Sequence, residues 1–539
     1  MTADHNNTAR TPDGETGLSR PELQRLISRN VAVSIAAKAF YLITRFFLPP
    51  IILAFVSLEE YGIWATCFIL ISYLGMSAFG VSNVYIRYVA DYHAKGETEK
   101  ISGLLSTGLT VVTALSLILL AALWFCLPLI IDAFRVSPEL RQTAFILIFG
   151  TVCVFMLDLS WGAFAYVLNG LQRIVEQNLV WVATFTLETV LIVVMLVAGW
   201  GIYALFYAFA VRYLVAITVN VFLCYRAILG LSLGLSRFDR HYLRLFYRFG
   251  AIVQLSGLLG MFLRSIEKVI AGVFINVQAT GLFDVGEKFP VMATSIPSAM
   301  NAAFLPATAY MHSHGRRDEI LALYLKGARY VNILTGGMMG FLAAFSGPLM
   351  VAWLGADPQF ALAPFILSWF TLPYQLNVLT GPASAFFRGV GQPVRELLYP
   401  VAQLLLVALF TGLGFLGFGA TVPVITVTVA AAMVVSAVLY MVYTNRFLAL
   451  SQGMFFTRVI LPGLLPYGIG FALLLAAKPW LPAALTDRWQ AAAVVLAAGA
   501  AYGLATLLAL FWLVWDKEER TYFRSRLAMI RRRVRRRRS

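Results

Sequence analysis

Fourteen apolar stretches, each 19 residues or longer, run through this chain. They cover 31–57, 61–85, 103–130, 142–169, 177–199, 201–225, 249–275, 280–310, 330–354, 361–386, 396–415, 419–444, 459–477 and 490–515. A helix needs about 20 apolar residues to cross a bilayer, so these stretches predict an all-α polytopic membrane protein. They do not alternate and are too long for barrel strands. Composition agrees: 60% of residues are hydrophobic and 13% charged, against roughly 45–50% and about 25% in soluble domains.

The net charge of +16 does not point to nucleic acid, because most of the cations sit between spans and at the C-terminus. With the N-terminus in the cytoplasm, 32 of the 42 Lys and Arg residues fall on the cytoplasmic side. Only Arg135, Arg141, Lys478 and Arg488 fall on the other side. The positive-inside rule therefore predicts both termini in the cytoplasm. The first span is too long for a signal-peptide core and is expected to stay as a helix. The far-side loops are short, and no loop is large enough to carry catalytic groups, so no enzymatic activity is expected. Cys67, Cys126, Cys153 and Cys224 form neither a zinc motif nor a disulfide framework. No Walker pattern occurs, so ATP is not the expected energy source.

Six cations lie inside spans: Lys38, Arg45, Arg212, Arg264, Lys268 and Lys288. A charge at mid-membrane depth costs from about 2.5 to over 10 kcal/mol, and it marks a site or a partner. Lys38 and Arg45 share one helical face, as do Arg264 and Lys268. Two anions are open to them. One is a substrate phosphate, which matches the arginine fork. The other is protein carboxylate: Asp158, Glu188, Glu267, Asp284 and Glu287 lie in or near spans. The candidate substrate-binding residues are Arg45, Arg264, Lys38, Lys268 and Arg212, with Glu188 a competing partner for Arg212. Lys288 is expected to pair with Asp284, four residues away. Asp158, Glu188 and Glu267 are candidates for ion coupling.

The chain also repeats itself. An offset of 219 residues brings Arg25-Leu26 onto Arg244-Leu245, Arg29 onto Arg248 and Arg45 onto Arg264. It brings Gly62-Ile63-Trp64 onto Gly281-Leu282-Phe283 and Asn169-Gly170 onto Arg388-Gly389. Six spans per copy is an even number, so the copies should be parallel, with a substrate site between them. The expected organisation is a cytoplasmic segment 1–30, a first lobe 31–225, an amphipathic linker 226–248 and a second lobe 249–447. Two further spans follow in 448–516, then a cytoplasmic polybasic tail, 517–539. Arg531, Arg532, Arg533, Arg535, Arg536, Arg537 and Arg538 in that tail are expected to meet anionic lipid.

Several of these motifs carry a family resemblance. Glu59-Glu60-Tyr61-Gly62-Ile63-Trp64, Leu168-Asn169-Gly170-Leu171-Gln172-Arg173, Tyr247-Arg248-Phe249-Gly250, Gly281-Leu282-Phe283-Asp284 and the span holding Pro297 and Pro306 resemble the polysaccharide flippases of the MOP superfamily. The resemblance covers about residues 20–450. It implies two six-helix lobes around a central cavity. It also implies export of an undecaprenyl-diphosphate-linked oligosaccharide across the inner membrane by alternating access, for exopolysaccharide or O-antigen synthesis. A lipid II flippase and a cation-coupled multidrug antiporter are the alternatives. No cofactor or metal is expected, and coupling would be to H⁺, Na⁺ or the membrane potential. A polysaccharide polymerase and glycosyltransferases are the expected protein partners, and nucleic acid is not a partner.

Overall fold

The computed structural model describes residues 20–75, 81–248, 259–301, 303–480, 485–521 and 525. All regular structure among them is helical. The first half runs α1 (Arg20–Leu53), α2 (Leu58–Gly75), α3 (Val81–Ala94), α4 (Thr98–Ala133), α5 (Arg141–Trp161), α6 (Ala163–Gly170), α7 (Ile174–Val197) and α8 (Tyr203–Ala227). A short helix, α9 (Arg240–Arg248), leads to the second half. That half holds α10 (Ile266–Phe274), α11 (Val277–Gly286), α12 (Lys288–Ala293), α13 (Ser295–Asn301) and α14 (Phe304–Ser313). It continues with α15 (Arg317–Ala344), α16 (Ser346–Leu354), α17 (Ala363–Leu379), α18 (Gly381–Gly389), α19 (Leu398–Phe418) and α20 (Val422–Phe447). The chain closes with α21 (Gln452–Phe455), α22 (Leu461–Ala477) and α23 (Arg488–Ala509).

Among the described residues, nine helices are long and apolar enough to cross a membrane, or ten if a bent pair counts as one span. The stretches 61–85 and 249–275 include residues outside the described ones, and two others are broken rather than absent. The stretch 280–310 is built from pieces of α11 to α14, and 361–386 divides at Thr380. Between α15 and α16 the axis turns by 75°. Pro348 sits there and has no N–H to return to Ala344, so the helix cannot run straight through. Side chains facing outward are apolar: Phe125 is 81% exposed and Leu416 87%. Such residues belong against lipid rather than water.

The repeat is visible in the backbone. Leu58 and Val277 start α2 and α11, Thr98 and Arg317 start α4 and α15, and Tyr203 and Val422 start α8 and α20. All three pairs keep the 219-residue offset. The left-handed turns repeat too: Gly96 with Gly315, Gln172 with Gly391, and Gly230 with Ala449.

The two halves meet through α2 and α11. A Cβ on Gly62 would strike the Val277 carbonyl oxygen at 2.0 Å, and one on Gly281 would reach the Leu58 oxygen at 2.9 Å. Leu58 and Val277 are repeat mates, as are Gly62 and Gly281. Each glycine therefore touches the mate of its partner's neighbour, which is the reciprocal contact of a two-fold axis. Only glycine permits backbones this close. Trp353 Nε1 also donates to the Phe46 carbonyl at 3.0 Å, and Phe46, Phe289 and Trp353 pack ring on ring.

Core packing shows how the halves part. One apolar core contains Leu48, Ile52 and Leu58 from the first half with Val277, Phe283 and Phe370 from the second. At the opposite end there are separate cores. One holds Tyr85, Leu104, Phe164 and Phe246; the other holds Tyr324, Phe387, Tyr440 and Phe455. Among the described residues, the halves thus share an apolar core at one end and keep separate cores at the other.

Helix α9 buries Tyr242 and Phe246 and leaves Arg240 and Arg244 exposed. The preceding loop is pinned to α4, where Ser102, Ser106 and Thr107 hydroxyls accept from the backbone N–H groups of Ser232, Gly234 and Asp239. Helix α22 packs on α15 through Gly336 and Gly463. Asn332 and Gln375 donate to the carbonyls of Val459 and Gly463 beside Pro462 and Pro466, satisfying backbone groups that lipid could not.

Candidate functional site

Helices α5 to α8 each turn one face toward a cavity of about 1100 Å³. The lining residues recur at helical spacing: Gln177, Trp181 and Thr184 on α7, and Arg212, Ala216 and Asn220 on α8. From the second half come Gly260, Met261 and Arg264. The cavity lies toward the end where the cores are separate.

Two arginines and one aspartate are its formal charges: Arg212, Arg264 and Asp158. Arg212 is anchored. Its Nη1 lies 3.1 Å from Glu188 Oε2, and Glu188 is 1% exposed. The other Glu188 oxygen faces Arg45 Nη2 at 3.4 Å. One buried carboxylate therefore serves two guanidinium groups and leaves them an excess positive charge. The Phe185 ring lies 5.0 Å from the Arg45 guanidinium carbon and 5.4 Å from that of Arg212. A ring face so placed is attractive to both cations.

Arg264 has no such partner. It lies in a break between the helical turns at 259–263 and α10, where the N–H groups of Arg264 and Ser265 reach back only three residues. Its side chain is exposed and makes no ion pair or hydrogen bond with other described residues. The repeat explains the asymmetry. The position matching Glu188 is Val407, and the one matching Arg212 is Ala431.

The repeat pairs Arg45 with Arg264, and sequence made both candidates for one substrate site between the copies. The structure puts them in different cavities. Arg45 lines a smaller one of about 190 Å³, with Tyr41, Tyr61, Asp284 and Lys288. Its anion is Glu188. Lys38 is exposed on α1 and lines neither cavity.

Lys268 belongs to a buried cluster at the seam between the halves. Its ammonium is 2.8 Å from Asp284 and 4.0 Å from Glu287. Lys288 reaches Asp284 at 3.2 Å, the pairing expected from their four-residue spacing. Tyr61 donates to Asp284 at 2.8 Å, tying the first half to the second. Tyr374 donates to Glu287. Glu267 and Glu287, 2% and 1% exposed, each keep one oxygen with no hydrogen-bond partner among the described residues. The three ion-coupling candidates thus separate: Asp158 lines the large cavity, Glu188 bridges two arginines, and Glu267 lies in the seam cluster. Arg531 to Arg538 lie outside the described residues.

Sequence reasoning passed over the uncharged polar lining. Asn169, Gln177 and Asn220 all face the large cavity. Sequence offers Gln177 beside Asn178 and Asn169 in the same span as Gln142, so which amides face the cavity depends on how each helix is rotated.

The sequence matches that of the polysaccharide biosynthesis protein family over residues 52–357, more than half of the chain. No curated protein sequence matches it. Among solved structures, an inward-facing multidrug resistance MATE family transporter of the MOP superfamily superposes with a TM-score of 0.64 at 13% identity. That match covers 77% of this chain and 94% of the other. The lipid II flippase MurJ in an inward closed conformation gives 0.57 at 13% identity, covering 84% and 97%. A MOP superfamily transporter from Pyrococcus furiosus, described as having reversed pocket polarity, gives 0.55 at 14% identity, covering 79% and 96%. The chain belongs to the polysaccharide biosynthesis protein family, and it is built on the fold of the MOP superfamily transporters.

Proposed function

We propose that this protein is a flippase that carries an undecaprenyl-diphosphate-linked oligosaccharide across the cytoplasmic membrane during surface-polysaccharide synthesis. The observation that carries this reading is the large cavity, walled mainly by the first half and met by Arg264 from the second, with Arg212, Arg264 and one aspartate in its lining. A diphosphate is dianionic or more, and guanidinium groups bind phosphate oxygens in two-pronged fashion. A cationic drug would meet two like charges there, which disfavours the multidrug antiporter. Family membership supplies the link to polysaccharide.

In this reading the chain crosses the membrane fourteen times, with both termini in the cytoplasm. The seam of α2 and α11 then lies on the far side, and the cavity opens toward the cytoplasm, where the substrate is made. The two halves act as lobes. Breaking the seam and closing the opposite end would expose the same cavity to the other face. Arg45 supports the site from behind through Glu188 rather than touching substrate. Asp158 and Glu267 are the groups through which H⁺ or Na⁺ would couple. Polymerase and glycosyltransferases would act before and after the transport step, and the arginine tail would hold anionic lipid.

The test is export. Replacing Arg212 and Arg264 together by alanine should abolish surface polysaccharide while the protein remains in the membrane at normal abundance. Full export by that double variant would refute the reading.

A further inference from the structure

We infer that Asn169, Gln177 and Asn220, with Trp181, form a saccharide subsite on the first-half wall of the large cavity, separate from the arginines that take the phosphates. The inference rests on the transport reading above and assigns the sugar end of that substrate to named side chains.

In that reading the three amides stand at the end of the cavity nearest its mouth. Asn169 is next to last in α6, Gln177 is in the first turn of α7, and Asn220 is in the last third of α8. Neighbouring antiparallel helices bring those ends together. Arg212 is eight residues before Asn220 on one face of α8, about 12 Å deeper along the axis. That is the reach of a short oligosaccharide, longer than a phosphate.

Among the described residues, no protein group takes up the free capacity of these three amides. Asn220 is 6% exposed, yet its Oδ1 has no hydrogen-bond partner among the described residues. The side chains of Asn169 and Gln177 make no hydrogen bond with other described residues. An unpaired buried amide costs about 1–3 kcal/mol, so its retention calls for a ligand. An amide offers two donors and an acceptor, which suits a ligand dense in hydroxyls. Trp181 lies one turn beyond Gln177 on the same face of α7. An indole presents an apolar surface to sugar C–H groups and keeps an N–H for a hydroxyl. These four side chains carry no charge of their own, so they suit the neutral part of the substrate.

The experiment uses the full chain in lipid nanodiscs. Its probes are bare polyprenyl diphosphate and the same carrier bearing glucose, galactose, N-acetylglucosamine or N-acetylgalactosamine. We expect at least one glycosylated carrier to bind about fivefold or more tightly than the bare one, the worth of roughly one hydrogen bond. Gln177→Ala and Asn220→Ala should each remove most of that advantage and leave bare-carrier affinity within about twofold. Gln177 is only partly buried, so its variant should fold even if Asn220→Ala does not. The subsite is overturned if the advantage survives both substitutions, or if they weaken the bare carrier equally. It is also overturned if the wild type never prefers a glycosylated carrier, an outcome that leaves the transport reading standing. Binding of no probe at all would overturn both.

Discussion

Gly281 lies against the backbone of Gly62, its repeat mate: a Cβ on Gly281 would be 3.0 Å from the Gly62 nitrogen and 3.1 Å from its Cα. The contact sits on the two-fold axis that relates the halves of the chain. It is the point where one end of the molecule is sealed.

Gly62→Ala should therefore be costly. The added carbon would fall 2.0 Å from a backbone oxygen that cannot rotate away. Overpacking of this kind costs about 1–3 kcal/mol, so thermal denaturation in detergent should show a clear fall in midpoint. Gly412→Ala, in α19 with nothing within 4 Å of its new carbon, should leave the midpoint unchanged or raise it.

Glu188→Gln should be worse than the loss of either arginine it serves. It would leave Arg45 and Arg212 side by side in a site where the carboxylate is 1% exposed. Breaking a buried pair from one side costs about 3–5 kcal/mol. The double variant Glu188→Leu with Arg212→Leu should recover part of the stability lost by Glu188→Leu alone. Simple additivity of the two melting shifts would mean that the pair is not coupled.

Much of this was legible in the sequence. A helical membrane protein follows from the apolar stretches, and the 219-residue repeat was readable from matches such as Arg45 with Arg264. The packing of Gly62 on Val277 and Gly281 on Leu58 gives that repeat its physical meaning. Charge pairing was harder to read. Arg45 and Glu188 are 143 residues apart, and the choice between carboxylates depends on how each helix is rotated. The solitary state of Arg264 could have been anticipated, since Val407 stands where the other copy has Glu188. The 75° bend after Ala344 was signalled by Ser346-Gly347-Pro348, within the apolar stretch 330–354 that sequence reads as one span. The amides of the large cavity were not legible because sequence does not show which face of a span meets the cavity.

Tyr61→Phe should loosen the seam without unfolding the protein. It removes the 2.8 Å hydrogen bond that links the halves at Asp284. A bond to a charged group contributes about 1.5–3 kcal/mol, enough to shift a two-state population roughly tenfold or more. Nitroxide labels at Ala54 and Gln278, both exposed, would report the seam distance by pulsed electron resonance. The variant should add a longer-distance population. An unchanged distribution would mean that the hydrogen bond does not hold the halves together.

The most direct measurement of the central claim is transport itself. Purified protein would be placed in liposomes with a fluorescent polyprenyl-diphosphate-linked saccharide, and a membrane-impermeant quencher would report lipid arriving in the outer leaflet. The account predicts accumulation well above protein-free liposomes, cut about tenfold or more by Arg212→Ala with Arg264→Ala in protein that still melts cooperatively. Wild-type protein that moves the lipid no faster than empty liposomes, or a double variant that moves it at the wild-type rate, would contradict the account.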